Sequence, residues 1–459
     1  MDKSVAVVLA AGMGTRMKSD VPKMLHPVCG KPMLLYVVDA LEEAKTERII
    51  TVLGHEAGRV QEIIRGRSES VPQLEPLGTG HALIQALPAL EAYEEGDCLV
   101  LCGDTPLIRG ETLRDLRYAH REAGAAATLL TARLMDPFGY GRVIREGRGE
   151  NPPIIDIVEE RDATPQIKQI REINTGAYCF DLRYLKEGLA SLKPANAQGE
   201  YYLTDLIRYL VGRGLRTESL VLADPGEAMG VNDRAQLAEA EARMRRRILR
   251  RHMLEGVTIR DPESTYIDDG VSIGSDTVLE PGVILSGRCV IGRRCQIGPW
   301  VRMSGSRLGD DTVVTQAAIM ESEVGGHCVI GPYSYIRPET VLSDYVKIGD
   351  FVELKKTTVA AGAKIPHLSY VGDSTVGSRV NVGAGTITCN YDGKDKHATV
   401  FEDDSFIGSN SNFVAPVRVG KGAYVGAGST ITKDVPPGSL AVARGKQKII
   451  EHWHQNGKD

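Results

Sequence analysis

Apolar side chains return at every sixth position through the C-terminal half of this chain, and that period limits its fold more than any other feature. Ile273, Leu279, Leu285, Ile291, Ile297 and Met303 keep the step. So do Val324, Ile330, Ile336, Leu342, Ile348 and Leu354, and again Phe401, Ile407, Phe413, Val419, Val425 and Ile431. A period of six fits neither an amphipathic helix nor the alternation of an ordinary strand. It fits a hexapeptide solenoid, in which each unit gives one short strand and one turn of a triangular coil. The apolar side chain points into the prism. The small residue after it, such as Gly292, Gly331 or Gly408, lets neighbouring backbones approach at the corner. Three units close a coil of about eighteen residues, and coils stack at about 4.8 Å. Three separate runs, each holding the six-residue step, argue against a Gly/Val-rich β-sandwich. The solenoid is expected from about Tyr266 to Val435, roughly nine coils.

The first half carries a different rhythm. Residues 5–9 read as a strand, 33–44 as a helix, 48–53 as a strand, 82–92 as a helix, and 98–102 as a strand ending at Gly103 and Asp104. Such βα alternation predicts a Rossmann-like, mostly parallel sheet with helices on both faces. Ligands then gather at the carboxyl ends of the strands. From 233 to about 255 neither Gly nor Pro occurs, and Leu237, Ala240, Met244 and Ile248 fall on one helical face. The expected organisation is therefore an α/β domain over 1–230, a linker helix over 231–251, and the solenoid with a short tail over 252–459.

Composition narrows the function classes. A chain of 459 residues allows two to four domains, and 42% hydrophobic with 25% charged residues supports an ordinary buried core. The net charge of −5 gives no global case for nucleic acid. The arginines between Arg243 and Arg251 read as a solvated helix face beside acidic neighbours. Eight cysteines stand without CxxC pairs or Cys/His metal spacing, so they read as reduced thiols of a cytoplasmic protein. No apolar run approaches about 18 residues, so no membrane span is expected. The apolar stretch at 5–9 is too short for a signal peptide.

The segment Leu9-Ala10-Ala11-Gly12-Met13-Gly14-Thr15-Arg16-Met17 leaves the first strand. It has neither P-loop spacing nor the third glycine of a dinucleotide fingerprint. Its glycines still let backbone N–H groups converge on phosphate oxygens, and Arg16 and Lys23 add positive charge nearby. This loop, followed by Pro22-Lys23, resembles the signature of sugar-1-phosphate nucleotidyltransferases. Gln73 with Gly78-Thr79-Gly80-His81-Ala82 resembles the base-reading loop of the uridylyl-transferring branch. Cys102-Gly103-Asp104-Thr105-Pro106, Gly139-Tyr140-Gly141-Arg142, Glu159, Asn174 and Asn232 extend the likeness. With the solenoid, the chain resembles the bacterial bifunctional N-acetylglucosamine-1-phosphate uridyltransferase/glucosamine-1-phosphate acetyltransferase family over nearly its whole length.

That resemblance implies two reactions. In the first half a sugar 1-phosphate oxygen attacks the α-phosphorus of UTP and pyrophosphate leaves, so positioning and charge neutralisation dominate. Leu9, Ala10, Ala11, Gly12, Lys23, Gln73, Gly78, Thr79, Gly141, Glu159, Asn174 and Asn232 would bind UTP and the UDP-sugar. Asp104 and Asn232 would hold Mg²⁺, and Arg16 and Lys23 would stabilise the developing phosphate charge. Blander readings exist for some of these. Asp104 could cap a helix before Pro106, Glu159 could pair with Arg161 or Arg142, and His26, His55 and His81 read as packed loop histidines. Pro76 stands where the family often has a second glutamine.

In the solenoid, Arg337, Lys355, His367, Tyr370, Asn381, Asn390 and Tyr391 cluster within a few turns, and the six-residue step breaks between Val382 and Phe401. An insert in a solenoid often builds a binding face. The resemblance makes His367 the general base that takes a proton from the amine of glucosamine 1-phosphate, a task suited to an imidazole. Arg337, Lys355, Tyr370 and Asn381 would bind the sugar phosphate. Ala384, Asn390, Tyr391, Ser409, Ala427 and Arg444 would contact acetyl-CoA. The resemblance further implies a left-handed parallel β-helix and a homotrimer, whereas ordinary crossovers are right-handed. Two rivals remain: a single-activity nucleotidyltransferase with a structural or regulatory β-helix, and a non-catalytic assembly subunit.

Overall fold

The computed structural model describes residues 4–54, 57–147, 152–194, 199–451 and 453; His55 lies outside them. The chain divides into two compact units, Met1–Met244 and Arg245–Asp459.

The first unit is built on a nine-stranded mixed sheet. Its main path runs Thr217–Val221, Ala127–Arg133, Glu172–Asp181, Asp97–Cys102, Ser4–Ala10, Arg48–Leu53 and Glu69–Pro72. The Glu172–Asp181 strand is antiparallel to both neighbours; the other pairs along the path are parallel. Every residue of Ser4–Ala10 is buried, as a strand covered on both faces requires. Its alternate side chains feed two cores: Val5, Val7 and Leu9 on one face, Ala6, Val8 and Ala10 on the other. Parallel pairing sets Leu9 beside both Val52 and Cys102. The loops after these three strands therefore open at one sheet edge. The helix expected at 82–92 begins earlier and is broken, as Thr79–Gln85 and Leu87–Leu90. Pro88, lacking an N–H and crowding the preceding turn, forces the break.

Helix Arg234–Leu254 buries Ala240, Met244 and Ile248 and half-buries Leu237. The division between the units falls inside it. Its arginines meet carboxylates: Arg243 with Glu239 at 2.7 Å, Arg246 with Glu263 at 3.9 Å and Arg251 with Asp269 at 3.8 Å.

In the second unit, three parallel sheets of eleven, ten and nine strands form the faces of a prism. Each strand pairs with its equivalent one coil later, for example Val278 with Gln296 and Leu279 with Ile297. All the six-step residues are buried, Ile273 being the most exposed at 9%. The stack begins at Thr258–Ile259 and ends at Leu440–Ala441, one face beyond each expected end. Corner glycines are obligatory where backbones nearly touch. A Cβ on Gly349 would stand 1.8 Å from the Pro366 carbonyl oxygen. Other corners put L-residues at positive φ, among them Trp300, Tyr333 and Phe351. Such conformations cost about 1–2 kcal/mol each. Inter-coil hydrogen bonds offset this, as when the Tyr333 N–H donates to Gln316 O at 2.7 Å.

Two candidate active sites

In the first unit, the loops after the three parallel strands enclose a cavity of about 760 Å³. Leu9, Ala11, Gly12, Arg16, Lys23, Gln73, Gly78, Thr79, Asp104 and Glu159 line it. Ala10 does not, because strand alternation turns it into the opposite core against Gly103. Gly12 has nothing within 4 Å of where a Cβ would stand, so its backbone lies open to a ligand. Gly14 is needed for another reason. Its φ is +63°, and a Cβ there would lie 2.7 Å from Lys23 Cβ, so the glycine brings the lysine stem against the loop.

The Lys23 ammonium is the centre of the charged part. It pairs with Asp104 and donates to Asn232 Oδ1 at 2.8 Å, while Arg16 donates to the same oxygen at 2.9 Å. Asp104 thus pairs with a cation and caps no helix; the next helix begins at Gly110 after Arg109. A carboxylate and an amide oxygen converging on one cation form a hard-oxygen donor pair. Among the described residues no group of three or more His, Cys, Asp or Glu is placed to hold a metal. A divalent ion at this pair would therefore complete its shell with water and phosphate, the usual habit of Mg²⁺. Cys102 lines the same wall, and burial pushes its thiol up to about 12, so it stays protonated.

At the far side, Glu159 is held up from the usual carboxylate range by burial, partly countered by a hydrogen bond from Thr204 at 3.3 Å. The expected alternative partner, Arg142, pairs instead with Glu160 at 2.7 Å. Gly141 sits against Glu159, where a Cβ would come 3.3 Å from both carboxylate oxygens, and its carbonyl accepts the Asn174 N–H at 2.9 Å. Asn174 also donates to the Tyr178 hydroxyl at 2.6 Å. Gly141, Glu159 and Asn174 therefore form one patch.

His81 carries more than the sequence suggests. It lies in a helix, not a loop, bonded to Gln73 at 2.9 Å and to Gln85 at 3.1 Å. A neutral imidazole has one N–H, so one of those carboxamides must present its oxygen. His81 thereby fixes the Gln73 amide, which also donates to Gly78 O at 3.2 Å. His26 is buried and takes a bond from Arg234 at 3.3 Å.

In the second unit, stacked corners gather the other residues. His367 is paired in register with Asp350 one coil before, and its Nδ1 meets Asp350 Oδ1 at 2.5 Å. That bond holds the Asp350 carboxyl below its ordinary range. The His367 side chain is 56% exposed, and its Nδ1 is the ring nitrogen that meets Asp350. Asp350 was not legible in the sequence, because its partner is a matter of coil register. The same corner continues upward. Gly385 N–H donates to Leu368 O at 3.1 Å, Asn410 N–H to Ala384 O at 2.7 Å, and Gly428 N–H to Ser409 O at 2.8 Å. Arg444 then donates to Ala427 O at 2.8 Å. His367, Ala384, Ser409, Ala427 and Arg444 thus form one column. Four steps of about 4.8 Å make it roughly 19 Å long.

A second corner carries the cations. Arg337 pairs with Glu353 at 2.7 Å, and Lys355 with Asp373 at 3.1 Å. Burial works to raise the Asp373 carboxyl, but Lys355 and a short bond from Asn390 outweigh it and leave it low. Asn390 also reaches the Tyr370 hydroxyl at 3.4 Å. Tyr370 stands on the face between the two corners, whereas Asn381 lies on the neighbouring face beside Lys364. The insert lengthens one coil. Arg379 and Asp404, coil neighbours, are 25 residues apart where Arg294 and Asp311 are 17. Within it Tyr391 is exposed, and His397 closes the loop on Asp392 at 2.7 Å. Lys396, which the sequence did not single out, contacts Lys355; a hydrogen bond with that lysine, and then its charge, lower Lys396 below the ordinary lysine range.

Comparison with known proteins bears on both halves. Residues 6–165 match the MobA-like NTP transferase domain, and residues 270–305 and 398–433 match the bacterial transferase hexapeptide (six repeats). Hexapeptide repeats of this kind wind as left-handed parallel β-helices, which gives the prism its hand. The chain is 51% identical to the bifunctional protein GlmU of Carboxydothermus hydrogenoformans, over 97% of this chain and 99% of that one. It is 50% identical to that of Heliobacterium modesticaldum over 99% and 98%, and 50% identical to that of Listeria monocytogenes over 97% of each.

Proposed function

This chain belongs to the bifunctional GlmU family, and from that premise we propose how its residues divide the work. It is a two-reaction enzyme of UDP-N-acetylglucosamine synthesis. The solenoid transfers an acetyl group from acetyl-CoA to glucosamine 1-phosphate. The first unit then joins N-acetylglucosamine 1-phosphate to UTP, releasing pyrophosphate.

For acetyl transfer, His367 takes the proton from the substrate amine as nitrogen attacks the thioester carbonyl. The N–C bond forms, the C–S bond breaks, and the coenzyme leaves as its thiol. Asp350 holds the His367 Nδ1 and favours the tautomer with Nε2 free to accept. Arg337 and Lys355, joined by Lys396, bind the sugar phosphate. Tyr370, Asn381, Asn390 and Tyr391 orient sugar and thioester. The column through Ala384, Ser409 and Ala427 takes the coenzyme along its length, and Arg444 meets its phosphates.

For uridylyl transfer, the Gly12 backbone, Arg16 and Lys23 meet the triphosphate, and Gln73, Gly78 and Thr79 read the uracil edges. Glu159, Asn174 and the Gly141 backbone hold the sugar and its acetamide. The oxygens of Asp104 and Asn232 would hold Mg²⁺, which neutralises phosphate charge when bound. The sugar phosphate oxygen bonds to the α-phosphorus as the bridging oxygen of pyrophosphate departs, and no protein nucleophile takes part.

Cytoplasmic residence is part of the same proposal, supported by eight free thiols. So is a homotrimer. An exposed ridge of Trp300, Tyr333, Phe351 and Leu368 runs up to the residue beside His367, and a second copy would cover it.

The His367–Asp350 pair at the foot of the coenzyme column carries the bifunctional reading, because a scaffold has no use for it. The test supplies glucosamine 1-phosphate, acetyl-CoA, UTP and Mg²⁺ to wild type and to His367→Ala, following thiol and pyrophosphate separately. His367→Ala is expected to lose about 10²–10⁴-fold in thiol release. It should still form pyrophosphate from supplied N-acetylglucosamine 1-phosphate. A wild type that releases no thiol would make the solenoid a scaffold.

A further inference from the structure

Asn232 meets Lys23 and Arg16 from a segment tied down on three sides. Before it, Val231 N–H donates to the Asp104 carbonyl at 2.9 Å, and Gly230 N–H meets the Tyr140 hydroxyl. After it, Asp233 caps helix Arg234–Leu254 by accepting the Gln236 N–H at 2.9 Å. In a capping box the side chain at this third helical position turns back to the cap residue's own N–H. Here it reaches one residue further. The Gln236 carboxamide oxygen accepts the N–H of Asn232 at 2.7 Å. With its backbone pinned, Asn232 presents Oδ1 to Lys23 at 2.8 Å and to Arg16 at 2.9 Å.

We infer that Gln236 is a positioning residue for uridylyl transfer, holding the Asn232 N–H so that the Asn232 side-chain oxygen faces the point where Lys23 and Asp104 meet. The inference rests on Asp104 and Asn232 being the cation-holding pair. Gln236 itself touches neither substrate nor ion and acts through Asn232. Partners that orient a metal ligand cost about 10–100-fold in affinity or activity when removed. A residue that only caps a helix would cost stability instead.

Those two roles separate in one experiment. Mn²⁺ is titrated by electron paramagnetic resonance into the full-length protein saturated with UDP-N-acetylglucosamine. Melting temperature and acetyl transfer are recorded on the same preparations. Gln236→Ala is expected to raise the Mn²⁺ Kd about tenfold while acetyl transfer is unchanged. Gln236→Glu, which keeps an acceptor oxygen, should recover most of that loss. Asp233→Ala should lower the melting temperature yet leave the Kd within about twofold of wild type. An unchanged Kd in Gln236→Ala, or an equal rise in Asp233→Ala, overturns the inference. A wild type that binds no Mn²⁺ under these conditions overturns the Asp104–Asn232 reading itself, and this inference with it.

Discussion

The two units place reactive groups by opposite means. In the first, backbone does most of the shaping: three strand ends meet at one sheet edge, and glycines let loops close around a cavity of about 760 Å³. Burial there perturbs a carboxyl, Glu159. In the second, the backbone is nearly uniform and side chains on stacked corners make the site. His367 stays 56% exposed, and its one side-chain bond among the described residues comes from Asp350, a neighbour one coil away. A sheet edge creates a site by topology. A solenoid repeats the same position, so its site comes from which side chains occupy the column and from the one insert that interrupts it.

The sharpest way to break this contrast is to show that the sites depend on each other. Lys23→Ala removes the cation that joins Asp104, Asn232 and the glycine loop. Pyrophosphate formation should fall about 10²–10³-fold, with thiol release unaffected. A parallel loss of thiol release would mean that the first cavity shapes the second site. Next in size is Asp350→Asn, expected to cut the kcat of acetyl transfer roughly tenfold, a fraction of the whole general-base contribution, and to displace its pH–rate profile. An unchanged profile would leave His367 oriented by its own corner alone.

Glu159→Gln sharpens the burial side of the comparison. Burial raises the folded-state pKa of this carboxyl, so its ionisation opposes folding once the pH exceeds its unfolded value, and the penalty fades as pH falls through the folded value. The variant should melt about 2 °C above wild type at pH 7, with the gap closing on acidification, although its KM for the sugar phosphate rises. A melting difference independent of pH would assign the effect to packing. The smallest effect is expected at Pro76, which lines the cavity but has no N–H to give. Pro76→Gln should lower the KM for UTP by about threefold, the scale of one net hydrogen bond. No change would remove this position from uracil recognition.

How much of this was legible in the sequence differs between the halves for the same reason. The six-residue period is set by the prism alone, so the buried residues from Ile273 to Ile431 could be read without knowing their neighbours. The ends of the stack could not, since Thr258–Ile259 and Leu440–Ala441 join by pairing rather than by pattern. Nor could the positive φ of Trp300 or Tyr333, which inter-coil bonds hold against local preference. In the first unit the glycine loop and Asp104 were plain, being contiguous motifs. Gln73 held by His81, Glu159 facing Thr204 and Asn232 held by Gln236 were not, because each contact depends on a fold that the motif does not contain.

Helix Arg234–Leu254 begins two residues after Asn232, which meets Lys23 and Arg16, and ends four residues before the first solenoid strand. The covalent seam between the catalytic modules is therefore not a neutral spacer. A genetic exchange that swapped one module for a relative's would have to cross over beyond Gln236, or the incoming segment would bring its own version of the oxygen that accepts the Asn232 N–H. Ancestral recombination among such chains should have left its breakpoints in the later turns of this helix, and engineered chimaeras should follow the same boundary.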